Sequence, residues 1–300
     1  MVSESILSLR AVVKTYGKKR AVDRVNFEVP KGSIFGLLGP NGAGKTSIIR
    51  IITGITMADE GAVYLDDTPL DSRHPEKIGY MPEERGLYKK MKVGDHLVYL
   101  ARLKGLSRQQ AKDSIQEWME KFEIEDWWDK KVEELSKGMQ QKIQFISTVI
   151  HRPSLLILDE PFSGLDPVNT NLIKDEIHEL RSKGASIIFS THRMEQVEEI
   201  CEHIVLINNG QNVLEGEVSA IKERFKKHQF HIGYEGVLPS QLEEEIDIIH
   251  QDDKGFIIQA REEQSSNELL RYLLNKGIII HSFKEILPTL NEIFIQQVKQ

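Results

Sequence analysis

Residues 39–46 read Gly39-Pro40-Asn41-Gly42-Ala43-Gly44-Lys45-Thr46, which fits the pattern G-x-x-x-x-G-K-[ST]. The flanks give the pattern its meaning. Before it, 34–38 is a continuous apolar run, as in a strand buried on both faces. After it, 46–52 carries apolar residues at helical spacing, and Gly54 is placed to end that helix. A glycine-rich loop between a strand and a helix lets successive backbone N–H groups turn inward, beside the positive end of the helix dipole. That is a cradle for phosphate. Gly39, Asn41, Gly42, Ala43, Gly44, Lys45, Thr46 and Ser47 are therefore assigned to the phosphates. Lys45 is set to reach the β- and γ-phosphates, and the Thr46 hydroxyl to face Mg²⁺. A glycine-rich turn that merely precedes a lysine would need neither flank.

Working outward, Leu155-Leu156-Ile157-Leu158 is a second buried strand, and it runs into Asp159-Glu160-Pro161. Two carboxylates ending a buried strand are costly unless they face a cation or water. Side chains alternate along a strand, so the pair is expected to divide its work: Asp159 toward Mg²⁺, Glu160 toward an attacking water. Alone, such a pair is often a surface turn; the phosphate loop upstream changes the odds. A third strand at 186–189 ends in Ser190-Thr191-His192. Ligands of α/β sheets sit at the carboxyl ends of the strands, so Gly39, Asp159 and His192 are expected to converge. His192 can hydrogen-bond a γ-phosphate oxygen or the water. Finally, Leu135-Ser136-Lys137-Gly138-Met139-Gln140-Gln141-Lys142 opens a helix whose N-terminus suits an anion, although an ordinary N-cap reads the same way.

The rest of the chain sets the frame. Its 300 residues suggest two domains at ~150 residues each. With 40% hydrophobic and 28% charged residues it is ordinary globular composition. No apolar run approaches the ~20 residues of a membrane helix. The 46 acidic against 39 basic side chains, net −7, argue against broad nucleic-acid binding, which calls for a basic excess. The single cysteine, Cys201, forms no internal disulfide and no Cys-rich metal site. Residues 1–10 carry no secretory pattern, so a cytoplasmic location is expected.

Residues 6–13 and 21–29 read as strands around a turn at 16–19, residues 93–149 as mainly helical, and 153–217 as alternating β and α units ending in a hairpin across Asn209-Gly210. Beyond 218 the texture changes to short elements. We expect strands at 230–234, 246–250, 256–260 and 278–283, helices at 239–244, 267–275 and 287–298, and a turn at 252–255. The β-α-β-β-α-β order resembles a small ferredoxin-like unit. The charge runs at 222–227 and 243–247 read as solvated faces.

In this order the motifs resemble those of the nucleotide-binding subunit of an ABC transporter, over residues 5–217. Leu135–Gln141 looks like the family's signature sequence, Ser163-Gly164-Leu165-Asp166 like its D-loop and His192 like its switch histidine. The resemblance implies an α/β P-loop NTPase: a core α/β lobe with antiparallel N-terminal strands, a helical subdomain at about 90–152, and an accessory α+β ferredoxin-like domain at 218–300. It further implies ATP and Mg²⁺ as ligands, and Tyr16 stacked on adenine. Glu160, His192 and Lys45 would be catalytic, and Thr46, Asp159 and Glu83 would lie around the metal. Ser136 and Gly138 would face the ATP of a second copy in a head-to-tail homodimer. A membrane permease is the implied partner, reached through the region after Glu83, with the chain peripheral on the inner face of the cell membrane.

Three positions depart from the family pattern. Glu83 stands where glutamine is usual, and Lys137 and Met139 replace the commoner glycine and glutamine of the signature. The run Pro82-Glu83-Glu84-Arg85-Gly86-Leu87-Tyr88, with 287–294 at the far end, resembles the ABC-2 exporter branch, its sodium-extrusion ATPases nearest. Two other classes compete. About 90 residues separate Thr46 from Leu135, too few for the long coiled coil of chromosome-maintenance ATPases, and one cassette is present where translation-linked ATPases usually carry two. A regulatory binder that had lost catalysis would not be expected to keep Lys45, Asp159, Glu160 and His192 together.

Overall fold

A computed structural model of the chain describes residues 4–71, 73–84, 86–236, 246–252, 255–260 and 265–298. Two long strands, β1 (Ser5–Tyr16) and β2 (Lys19–Pro30), form an antiparallel ribbon. The apolar run ahead of the phosphate loop is β3 (Ile34–Leu38), buried throughout, and the loop opens into α1 (Lys45–Ile52). Then come β4 (Glu60–Leu65), β5 (Thr68–Pro69) and β6 (Ile78–Met81). The first sheet has the order β2-β1-β4-β5.

Three helices follow: α2 (Val93–Leu103), α3 (Arg108–Lys121) and α4 (Lys137–Val149). Ser107 caps α3 as expected, with a reciprocal bond from Gln110 completing a capping box. The alternating part gives β7 (Leu155–Asp159), α5 (Pro167–Ser182), β8 (Ser186–Ser190), α6 (Met194–Ile200), β9 (His203–Asn208) and β10 (Gln211–Glu217). These strands form a six-stranded sheet in the order β10-β9-β3-β8-β7-β6, parallel except for the β9–β10 hairpin. Strand β8 lies between β3 and β7, so the phosphate loop and Asp159 flank the strand that leads to His192.

The core explains why these segments hold together. Phe35 and Leu37 of β3 join Ile48, Ile49 and Ile52 of α1, Ile157 of β7 and Ile188 of β8 in one buried cluster. Each fully buried aliphatic side chain is worth ~1.5–3 kcal/mol relative to exposure. Truncating Ile48, which is 0% exposed, to alanine is therefore expected to cost ~2–5 kcal/mol and to loosen the helix that begins at Lys45.

Contacts divide the chain into two units, Met1–Glu217 and Val218–Gln300. The second begins with α7 (Val218–Arg224), a helix not foreseen in the basic run. It continues with β11 (Gln229–Glu235), β12 (Asp247–Asp252), β13 (Gly255–Gln259), α8 (Ser266–Asn275), β14 (Ile279–Ile286) and α9 (Leu290–Val298). Its antiparallel sheet, β12-β13-β11-β14, places the first strand inside, with Phe230, Ile232, Phe256, Ile258, Leu269 and Leu273 as its core.

The helix expected at 239–244 lies outside the described residues, as do positions 253–254 of the expected turn. The last helix starts at Leu290 rather than 287. Pro288 disfavours helical geometry in the residue before it, and Thr289 supplies the cap: its hydroxyl accepts from Glu292 N at 3.2 Å while Glu292 accepts from Thr289 N at 3.0 Å. Among the described residues, no helix is long and apolar enough to cross a membrane.

Candidate active site

The phosphate loop is held by its surroundings as much as by its own sequence. Gly39 has φ +150° and Gly44 φ +116°, both on the side that favours glycine. A Cβ at Gly39 would sit 2.2 Å from the Ile207 carbonyl oxygen, and one at Gly44 2.4 Å from that of Ala21. Neither position admits a side chain. Ala43 accepts a bond from Gly210 N at 2.8 Å, and Gly210 in turn accepts one from Asp23 N at 2.8 Å, which clamps the loop between the β9–β10 turn and β2. Lys45 folds over the loop and donates from Nζ to Gly39 O at 2.6 Å and Pro40 O at 3.1 Å. Asn41, Gly42 and Thr46 are exposed at its rim and Ser47 is half-buried.

Three carboxylates face this lysine. Burial holds Lys45 below its ordinary value, and the charges of Asp159, Glu160 and Glu83 oppose that shift. Asp159 is 8% exposed at the end of β7. Burial raises its carboxyl, the neighbouring Glu83 and Glu160 charges push the same way, and Lys45 opposes them. Tyr80 on β6 registers the same field: burial first, then Asp159, push its hydroxyl up to about 12.

The expected alternation stops short of Glu160. Strand β7 ends at Asp159, and Glu160 adopts φ +51°, rare for a residue with a side chain. Its N–H donates to Ser190 O at 2.8 Å, which ties the bend to β8. Its Oε1 accepts from His192 N at 2.8 Å and lies 2.6 Å from His192 Nδ1, while Oε2 accepts from Thr191 Oγ1 at 3.0 Å. The Glu160 side chain is 14% exposed and that of His192 is 63% exposed, so the imidazole stands on the solvent side of the pair.

The structure thus brings together the phosphate loop, Glu83, Asp159, Glu160 and His192. Ser136 and Gly138 stand elsewhere. Ser136 caps α4, its hydroxyl accepting from Met139 N at 3.3 Å. Around Gly138 the nearest atoms to an added Cβ are Gly164 O at 3.6 Å and Leu165 Cδ2 at 3.8 Å, ordinary contact distances. This chain therefore leaves room for a side chain there. Asp166 in the same turn caps α5 by accepting from Asn169 N at 3.0 Å. Tyr16 is exposed at the end of β1, with Lys14 Nζ 5.7 Å from its ring centroid.

Sequence reasoning missed three residues of this neighbourhood. Thr191 holds Glu160. Gln141 donates to Pro161 O at 2.8 Å, joining α4 to the bend after Glu160, and Gln144 donates to Pro82 O. The two glutamines lie three apart on α4, so one helix face reaches both loops; that spacing is the signal that could have found them.

The donor set fits Mg²⁺. The Thr46 hydroxyl and the Asp159 and Glu83 carboxylates are hard oxygen ligands, and Asp159 is a buried carboxylate that a cation would stabilise. Mg²⁺ takes few protein ligands and completes its shell with phosphate and water. No group of three or more His, Cys, Asp or Glu residues arranged for a metal occurs among the described residues.

Comparison with known proteins agrees along the chain. A family model described as "ABC transporter" matches residues 22–163, and one described as "ATP-binding protein DrrA1-3-like, C-terminal domain" matches residues 216–298. The chain is 46% identical over 303 residues to the ABC transporter ATP-binding protein YhaQ of Bacillus subtilis (strain 168), covering 98% of each. It is 37% identical over 216 residues to Nod factor export ATP-binding protein I of Cupriavidus metallidurans, covering 71% of each. The solved structure of an ATP-binding subunit of an ABC transporter aligns with TM-score 0.69 at 29% identity, over 74% of this chain and 93% of that one.

Proposed function

The chain belongs to the ABC transporter ATP-binding family, and from that premise we propose that two copies close head to tail around ATP to drive export through a separate membrane permease. It is an ATP-hydrolysing cassette. The observation that carries the assignment of its residues is the convergence of Lys45, Asp159, Glu160 and His192 at the ends of three adjacent strands. Lys45 leaves its carbonyl partners for the β- and γ-phosphates. Glu160 orients the attacking water, and His192, held by Glu160, presents its exposed ring edge toward the γ-phosphate. Thr46 and Asp159, with Glu83 beside them, would hold Mg²⁺, which would supply neutralisation of phosphate charge there. Tyr16 offers its exposed ring to adenine.

Ser136 and Gly138 act on the ATP of the other copy. Room at Gly138 that this chain does not use supports close approach of a foreign phosphate to the α4 N-terminus. Residues 1–217 then form the ATP-binding domain, 90–152 its helical part, and 218–300 an accessory domain. We seat the permease at a groove of about 300 Å³ lined by Tyr80, Leu100, Leu103 and His151, near the exposed Tyr88 and Tyr99. The cassette works there on the inner face of the membrane. Export is favoured by the DrrA-like C-terminal match and the Nod factor export relative; the choice of cargo, sodium included, belongs to the permease.

The test is phosphate release from Mg-ATP by the purified chain. Glu160→Gln is expected to keep ATP binding, to lose turnover by ~10²–10⁴-fold and to accumulate as an ATP-bound dimer in size exclusion. Turnover at the unmodified rate would remove Glu160 from its role.

A further inference from the structure

We propose that Thr191 is a positioning residue for hydrolysis, its hydroxyl fixing the direction of the one acceptor site that Glu160 has free. The proposal rests on the reading of Glu160 as the group that orients water. Thr191 is 0% exposed, between the end of β8 and the start of α6. Its Oγ1 donates to Glu160 Oε2 at 3.0 Å, accepts from Arg193 N at 3.1 Å, and lies 3.4 Å from Gln196 Oε1. A hydroxyl has one proton to give. The charged acceptor is the nearer one, so Glu160 takes it.

A carboxylate offers about four lone-pair sites. On Glu160, the backbone N–H of His192 fills one site of Oε1, and His192 Nδ1, 2.6 Å away, takes the other as a donor, because an ionised carboxylate can only accept. Thr191 fills one site of Oε2, and the remaining site is on that same oxygen. The histidine therefore anchors one oxygen, and the threonine sets where the other points. Since φ at Glu160 is already +51°, the side chain leaves the backbone in an unusual direction, and its rotamer depends on these partners.

The full chain is assayed for ATP turnover in three forms. Thr191→Val keeps the shape and removes the hydroxyl; kcat should fall by about 10- to 100-fold, the range that loss of a hydrogen bond to a charged group corresponds to. KM for ATP should stay within about twofold, since the missing bond serves the reacting water rather than ATP binding. Thr191→Ser should restore most of the rate. In a Glu160→Gln background, Thr191→Val should add no further loss. Unimpaired kcat in Thr191→Val, equal losses in the valine and serine forms, or a loss of ATP affinity matching the loss of rate would each overturn the proposal. Thr191→Ala replaces the valine form if that does not fold. The two failures separate cleanly: an active Glu160→Gln enzyme removes the reading of Glu160 itself, whereas an inactive one beside a fully active Thr191→Val removes only the role of Thr191.

Discussion

Gln144 donates from Nε2 to the carbonyl oxygen of Pro82 at 2.7 Å, across 62 residues of sequence. Gln144 lies on α4, the helix that Ser136 opens, and Pro82 immediately precedes Glu83. One hydrogen bond thus ties the signature helix to the segment whose carboxylate faces Lys45. Gln144 is 3% exposed, and its Oε1 is buried without a partner among the described residues.

Replacing Gln144 by leucine deprives the Pro82 carbonyl of its donor, a loss of ~1–3 kcal/mol. It also removes the unpaired Oε1, which offsets part of that loss. We therefore expect destabilisation of about 1 kcal/mol, read as a lower midpoint in urea. An unchanged midpoint would mean that the tie carries no energy.

Glu83 is exposed, yet its charge reaches Lys45 and Asp159. A third carboxylate beside a bound triphosphate adds repulsion that Mg²⁺ must screen. Glu83→Gln should therefore narrow the gap between ATP affinity with Mg²⁺ and ATP affinity in EDTA, measured by titration calorimetry. A gap as wide as in the unmodified protein would take Glu83 out of the metal's surroundings.

Much of the site was legible because its signals are local. The phosphate loop, the apolar strand ending in Asp159 and the Ser136 cap each occupy a few consecutive residues whose chemistry needs no distant partner. The reading failed where a distant partner decides. Strand β6 has only four residues, one of them Gly79, which lowers strand propensity. The glycine is there because a Cβ would meet the Thr148 carbonyl oxygen at 2.5 Å, a neighbour 69 residues away. The bend at Glu160 and the bond from Thr191 likewise join segments that are separate in sequence, so strand alternation alone does not give the direction of the Glu160 side chain. In the second unit, the last helix starts at Leu290, three residues later than expected, because Pro288 and the Thr289 cap set its start.

His96 gives a pH dependence with a definite sign. It is 0% exposed on α2, its ring edge-on to Tyr88 at 5.7 Å between centroids, with no partner for either ring nitrogen among the described residues. Burial lowers its pKa from 6.5 to about 4. The unfolded chain therefore binds a proton that the folded chain excludes. The stability that His96 contributes is complete above pH ~6.5 and is lost as pH falls toward 4. From pH 7 to 5 the loss should be on the order of 2 kcal/mol. His151, also lowered to about 4 by burial with Lys104 adding to it, acts in the same direction. Denaturant unfolding across this range should show His96→Phe with a shallower slope than the unmodified protein. Identical slopes would mean that His96 escapes burial before it is protonated.

Gly138 separates folding from closure. In this chain an added methyl group would touch nothing closer than Gly164 O at 3.6 Å. The residue is helical in α4, where alanine is favoured over glycine by up to about 1 kcal/mol. Gly138→Ala should therefore melt at the same temperature or a few degrees higher. If the space beside Gly138 is where the phosphate of a second copy arrives, the same methyl group stands between that phosphate and the helix N–H groups. ATP-dependent dimerisation of the Glu160→Gln form should then weaken by at least about tenfold when Gly138→Ala is added, the effect of ~1.4 kcal/mol lost at one contact. ATP binding to the monomer should be unchanged, because Gly138 stands apart from the phosphate loop of its own chain. A variant that is equally stable, binds ATP equally well and dimerises as before would place the second copy's phosphate elsewhere, and the assignment of Ser136 would fall with it.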